Sequence, residues 1–283
     1  MIIHRTKQII QESGFLNKKR FGQNFLIDPS ILNHIIEVSG VSPEVGVIEV
    51  GTGLGTLTEA LAQHAREVIS FEVDEDLKPL IKQNLAPYPN ITVYFQDFLE
   101  VEWSTIWDKH FKEGEVLVVA NVPYYITTPI LFKILTEKRI KSCLLMVQKE
   151  VGDRLTGKPN TKDYNALSVL MAYQTKTKIV GRAPKNCFYP APDVDSVLLR
   201  IEQVKNDYRL NNEPRFLKFI KDMFVMRRKT FANNIATQYE LQKEYIEGKL
   251  IELGFSKSIR SEAMNIDEIV AIYRLLFEQE GTL

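Results

Sequence analysis

The sequence predicts a doubly wound α/β fold with a mainly parallel seven-stranded sheet, continued by a small C-terminal all-helical domain. Three observations carry that expectation. Short apolar runs at 47–50, 68–73, 91–95, 116–120, 143–147, 177–180 and 197–201 alternate with helix-length segments, the pattern of strands buried on both faces. The first run opens into a glycine-rich turn, Gly51-Thr52-Gly53-Leu54-Gly55. Beyond residue 203 the strand signals stop and helical periodicity takes over.

Local signals justify each element in turn. Asp28-Pro29-Ser30 starts a helix, with Asp as N-cap and Pro at the first helical position. Ile31, Leu32, Ile35 and Ile36 follow at helical spacing, and Gly40 closes the element. The segment before it, 18–26, is basic and aperiodic. The last two apolar runs are joined through Ala183-Pro184 and Pro190-Ala191-Pro192, with little room for a helix, so an antiparallel pair at one sheet edge is expected. The polar stretch 203–212 reads as a linker, which divides the chain into domains 1–203 and 204–283. Three helices are expected in the second domain. The first opens at Glu213-Pro214, the second carries Leu241, Tyr245, Leu250 and Ile251 up to Gly254, and the third starts at Asn265 with Glu268 in the manner of a capping box.

Hydrophobic residues make up 45% and charged residues 25% of the 283-residue chain, ordinary values for a water-soluble globular protein. Thirty-six basic side chains balance thirty-six acidic ones, so any nucleic-acid contact has to come from local clusters. Cys143 and Cys187 sit in apolar contexts without metal-ligand spacing. Reduced thiols, no metal, no membrane association and a cytoplasmic monomer are expected.

Glycines in the first turn allow positive φ and let a ligand approach the backbone. A plain strand-to-helix turn needs fewer of them. A dinucleotide fingerprint needs glycine at position 56, where this chain has Thr56, which favours an adenosine ligand without phosphates. Glu72, ending the second run, is placed to accept hydrogen bonds from ribose hydroxyls. Asp97, after the third run, can accept one from an adenine amine. Each acid alone is readily a solvated strand end. Both beside a glycine turn imply S-adenosylmethionine.

Asn121-Val122-Pro123-Tyr124 ends the fourth run. The exocyclic nitrogen of adenine is a poor nucleophile because its lone pair is delocalised into the ring. Two acceptors on its hydrogens, the Asn121 side-chain oxygen and a backbone carbonyl such as that of Val122, favour a pyramidal nitrogen. Pro123 fixes the turn, and Tyr124 offers a stacking face. The simpler reading is a strand exit with an Asn cap. Phe188, in the loop 186–196, is either a second stacking face for a flipped base or a core aromatic anchoring a proline-rich loop.

By these residues the chain resembles the ribosomal RNA adenine N6,N6-dimethyltransferases, the small-subunit enzymes most closely. The motifs are Lys19-Arg20-Phe21-Gly22-Gln23-Asn24-Phe25-Leu26, 49–58, 121–129, Val147-Gln148-Lys149-Glu150, 188–196, and Arg227-Arg228-Lys229-Thr230 with Asn233-Asn234. The resemblance implies a Rossmann-like class I methyltransferase domain and a helical domain that binds RNA. It puts Asn24, Leu26, Gly51, Gly53, Glu72, Asp97 and Asn121 on the cofactor, and Asn121, Pro123, Tyr124 and Phe188 at the target base. It implies as partner the small ribosomal subunit, with two adjacent adenosines of the 3′-terminal hairpin of 16S ribosomal RNA dimethylated late in assembly. Two basic clusters, Lys18-Lys19-Arg20 and Arg227-Arg228-Lys229, are then RNA-facing; otherwise each is a solvated face. The usual motifs have Pro where this chain has Thr52, Leu where it has Val122 and Asn where it has Tyr125, and neither Thr52 nor Val122 removes a side chain assigned to chemistry.

Other readings compete. A resistance-type enzyme acting on 23S ribosomal RNA shares the chemistry, and the 227–234 motif and Thr127-Thr128-Pro129 favour the small-subunit type. An RNA-binding assembly factor with dispensable catalysis is a second alternative. A nicotinamide oxidoreductase is disfavoured by Thr56 and the reaction loop.

Overall fold

The computed structural model describes residues 1–12, 23–205 and 207–278. Lys18, Lys19 and Arg20 lie outside them. The chain forms two compact units, Met1–Gly152 with Lys178–Gln203, and Asp153–Thr177 with Val204–Leu283.

The first unit opens with α1 (Thr6–Glu12), β1 (Phe25–Leu26) and α2 (Pro29–Ser39). Asp28 caps α2 by accepting from Ser30 N–H at 2.8 Å, and Gly40 ends it at φ +81°. Strands and helices then alternate as β2 (Gly46–Val50), α3 (Thr56–Ala62), β3 (Glu67–Glu72), α4 (Lys78–Leu85), β4 (Ile91–Phe95), α5 (Trp103–Lys109), β5 (Val116–Asn121), α6 (Thr127–Thr136) and β6 (Ser142–Gln148). After α7 (Lys149–Leu155) and α8 (Ala166–Gln174) come β7 (Thr175–Ala183), β8 (Phe188–Tyr189) and β9 (Ser196–Gln203).

The seven-stranded sheet has the order β4-β3-β2-β5-β6-β9-β7. Strands β4 to β6 pair in parallel, and β9 runs antiparallel to β6 with Met146 opposite Leu198. Val47, Ile48, Val68, Ile69, Val118 and Val119 are all buried. Neighbours on opposite faces of a strand are equally covered, which is why these strands read as unbroken apolar runs. Because β3 and β5 flank β2 on either side, the chain reverses direction of travel there. Ligands bind in the crevice at the carboxyl ends of such a switch point.

The second unit is helical, with α9 (Glu213–Asp222), α10 (Phe231–Tyr239), α11 (Lys243–Glu252) and α12 (Ile266–Phe277). Its core is aromatic. Phe216 and Phe219 meet the Tyr273 ring at 5.0 and 5.3 Å between centroids, and Phe219 meets Phe231 at 5.9 Å. Two expectations need correcting. The crossing at 203/204 is one boundary, but 153–177 also groups with the helices. Tyr164 donates to Met264 O at 2.6 Å, and the Tyr173 ring lies 5.0 Å from Phe216. Helix α10 is a fourth helix beyond the three expected, its apolar stripe diluted by Asn233 and Asn234. Thr230 caps it through Asn233 N–H, and Asn234 is nevertheless buried. The Asn265–Glu268 capping box forms as expected.

Candidate active site

A cavity enclosing about 1090 Å³ of empty space, mouth included, opens at the carboxyl ends of β2, β3, β4 and β5. Asn24, Leu26, Gly51, Gly53, Glu72, Asp97, Asn121, Pro123 and Tyr124 all line it.

The glycine turn forms one wall. Gly51, Gly53 and Gly55 have φ of +86°, +56° and +88°, the left-handed region that side chains disfavour. Both Gly51 and Gly53 pack against neighbouring segments, Gly53 tightly. A Cβ on Gly51 would lie 3.5 Å from Asn121 O and 3.7 Å from Pro123 Cδ, and one on Gly53 would meet the Phe25 ring at 3.3 Å. The turn therefore lies directly against the reaction loop and β1.

Glu72 is buried at the end of β3. Its Oε2 accepts Gly53 N–H at 2.8 Å, and its Oε1 accepts Val73 and Asp74 N–H, each at 2.9 Å. Burial raises its pKa, opposed by these backbone donors. Asp97 follows β4 and uses Oδ1 to cap Leu99 N–H at 2.8 Å. Among the described residues the walls carry two carboxylates and no Lys or Arg. That charge suits a cationic nucleoside and opposes a pyrophosphate.

The reaction loop leaves β5 at Asn121. Val122 N–H donates to Met146 O at 3.2 Å, and Val122 is buried, which holds the loop against β6. Ile126 N–H closes the turn on Pro123 O at 3.2 Å. Asn121 Nδ2 donates to Asn24 O at 3.3 Å, which orients the amide and leaves its oxygen as an acceptor for an incoming amine. The Tyr124 hydroxyl is bonded to Ser196 Oγ at 2.6 Å, and burial raises its pKa. Tyr125 lines the mouth and is 55% exposed.

Phe188 departs from the stacking expectation. It is 2% exposed, belongs to the core cluster that includes Leu26 and Cys187, and does not line the cavity. Strand β8 pairs it with Leu26 of β1, so the ring lies in the core behind the cavity wall. Sequence reading also missed Phe25 against Gly53, and Gln96 and Phe98 beside Asp97. Their nearness to assigned residues was the available signal.

In the second unit, Arg227, Arg228 and Lys229 are exposed between α9 and α10. Asn234 braces the start of this loop, its Oδ1 accepting Met226 N–H at 2.9 Å and its Nδ2 donating to Met226 O at 3.3 Å. Arg227 donates to Lys162 O at 2.5 Å. Among the described residues no group of three or more His, Cys, Asp or Glu is arranged to hold a metal ion, and no helix is long and apolar enough to cross a membrane.

A mainly parallel sheet with a glycine turn, two acids and an Asn-Val-Pro-Tyr loop around one switch-point cavity defines a Rossmann-like methyltransferase. The chain belongs to the ribosomal RNA adenine dimethylase family, whose model matches residues 14–270. It is 41% identical over 279 residues to the ribosomal RNA small subunit methyltransferase A of Bacillus cytotoxicus, covering 96% of each chain. The Bacillus mycoides protein of the same name matches equally. The fold is similar to that of a dimethyladenosine transferase from Plasmodium falciparum (TM-score 0.75, 23% identity, 90% of this chain and 97% of that one). It is also similar to that of the 23S rRNA methyltransferase ErmE (TM-score 0.70, 24% identity, 90% and 100%). The protein is thus a methyltransferase, and its family uses a methyl donor of the S-adenosylmethionine type.

Proposed function

We propose that the chain transfers methyl groups from S-adenosylmethionine to the N6 amines of two adjacent adenosines in the 3′-terminal hairpin of 16S ribosomal RNA, giving N6,N6-dimethyladenosine late in small-subunit assembly. The observation that carries this reading is the meeting of the glycine turn, Glu72, Asp97 and the 121–124 loop in one cavity whose walls, among the described residues, carry no Lys or Arg, in a chain of this family.

Glu72 holds the ribose, Asp97 receives the adenine amine, and Gly51 and Gly53 make room for the methionine part, with Asn24 and Leu26 closing that side. The bound cofactor supplies an electrophilic methyl. Asn121 Oδ1 and a backbone carbonyl such as that of Val122 accept the two hydrogens of the target amine, which frees the nitrogen lone pair. Alignment of nucleophile and methyl at about 3–3.5 Å is then worth several orders of magnitude in rate. The Tyr124 ring stacks on the base, a contact worth roughly 1–3 kcal/mol, and its hydroxyl bond to Ser196 fixes the plane of the ring. No side chain needs to act as a strong base.

The helical segment 204–283 binds the ribosomal RNA through Arg227, Arg228 and Lys229, with Lys18, Lys19 and Arg20 as the second contact. Reversing Arg227, Arg228 and Lys229 to Glu weakens small-subunit binding, makes its salt dependence shallower by about 0.7–0.9 log unit per lost phosphate contact, and leaves cofactor affinity unchanged. Unaltered subunit affinity at both low and high salt would remove the cluster from the interface. The function itself is tested by incubating unmodified small subunits with methyl-labelled cofactor and analysing the nucleosides. Labelled N6,N6-dimethyladenosine is expected, and its absence rejects the assignment.

A further inference from the structure

Beneath the glycine turn lies a buried polar chain that no step above uses. Glu49 of β2, Thr58 of α3 and Ser70 of β3 are all 0% exposed. Glu49 Oε2 accepts the Ser70 hydroxyl at 2.6 Å and the Thr58 hydroxyl at 2.6 Å. Ser70 has a single hydroxyl proton and spends it on Glu49. Its 2.6 Å contact with the Thr52 hydroxyl is therefore one in which Thr52 donates. Burial pushes the Glu49 carboxyl up to about 8. Glu49 Oε1 has no partner among the described residues. Glu49 is thus the terminal acceptor of a chain that runs from Thr52 through Ser70 and is met by Thr58.

Thr52 stands between two glycines at φ +86° and +56°, where the backbone is least constrained by its own residues. Its N–H and that of Gly51 both donate to Phe71 O, at 3.2 and 2.8 Å. Its hydroxyl, committed to a fully buried serine, acts on a ligand only through the shape of the turn.

We propose that Thr52 is a positioning residue for the methyl donor: its hydroxyl, donated through Ser70 to Glu49, clamps the glycine turn onto β2 and β3 in the conformation that admits the cofactor. This inference rests on the cofactor reading above.

Thr52→Val keeps side-chain volume and the backbone N–H while removing the hydroxyl. Calorimetric titration of the full chain with S-adenosylmethionine and S-adenosylhomocysteine is expected to show a Kd about tenfold higher, the scale of one buried hydrogen bond. Ser70→Ala breaks the same chain one link on and gives a similar rise. The double variant is no weaker than either single one, a non-additivity that general loosening does not produce. Thr52→Ser, which keeps the hydroxyl, recovers the unsubstituted Kd. If Thr52→Val does not fold in a thermal melt, Ser70→Ala carries the test alone. A folded Thr52→Val or Ser70→Ala within about twofold of the unsubstituted Kd, or penalties that multiply in the double variant, would overturn the proposal. Failure of the unsubstituted protein to bind either ligand would reject the cofactor reading and this inference with it, whereas normal binding unaffected by the substitutions rejects the inference alone.

Discussion

The floor of the cavity and its reaction loop are built on different principles. Under the glycine turn, Glu49, Thr58, Ser70 and Thr52 are at most 4% exposed, and the three hydroxyls spend their protons within the group, two of them on Glu49. Glu72 likewise accepts three backbone N–H groups of its own chain. Across the cavity, Tyr124 is half-buried with its hydroxyl on Ser196, and Tyr125 is 55% exposed. The floor uses the same hydrogen bonds for folding and for shaping a site, so it is complete before binding. The loop presents aromatic surface whose burial awaits a base. A preformed floor cuts the ordering cost of binding a small cofactor, and an open aromatic ledge suits a nucleotide that arrives as part of a large RNA.

The largest test of that contrast removes the polar group of the loop. Asn121→Ala is expected to lower the methyl-transfer rate about 10²–10³-fold, the usual loss when one preorganised polar contact to the reacting centre disappears. Cofactor affinity measured by calorimetry should move less, because Asn121 is one cofactor contact among several and the hydrogen bonds of the floor do not involve its side chain. An equal loss in both quantities would mean that floor and loop form one unit, and the comparison would fail.

A smaller effect isolates the floor. The Glu49 carboxyl titrates at about 8 in the fold against 4.5 as a free side chain. The folded state therefore holds more protons than the unfolded state between those values, and stability falls as pH rises from about 4.5 to about 8. Glu49→Gln keeps an oxygen to accept both hydroxyls and has no charge to bury. Its stability relative to the unsubstituted protein should grow across that window by up to about 1.4 kcal/mol per pH unit, read from denaturant unfolding at a series of pH values. Parallel pH profiles for the two proteins would show that Glu49 does not titrate in this range.

Much of this was legible in the sequence. The apolar runs marked all seven strands of the main sheet, most clearly β2, β5 and β6, where burial on both faces leaves a nearly unbroken signal. Glu72, Asp97 and Asn121 could be picked out because chemistry-bearing residues at strand ends stand against an apolar background. What escaped depended on partners distant in the chain. Glu49 sits inside an apolar run, and nothing local indicates that Thr58 and Ser70 satisfy it. The grouping of 153–177 with the helical unit depends on Tyr164 reaching Met264, a contact spanning a hundred positions. Helix α10 was hidden because Asn234, polar by composition, is a core residue by position.

Phe188 gives the smallest expected effect and bears most directly on which side of the comparison it belongs to. In sequence it could be a stacking face or a core anchor, and its 2% exposure opposite Leu26 puts it with the core. Phe188→Leu is then a packing change, costing about 1–2 kcal/mol of stability and lowering the melting temperature. Tyr124 and Asn121 keep their places, so the rate per folded molecule and the KM for small subunits should stay close to those of the unsubstituted protein. An unchanged melting temperature with a lower rate or a higher KM would mean that the ring leaves the β1–β8 pair to meet the base. In that case the reaction loop would have an aromatic partner supplied by the core, and the cavity would be only half preformed.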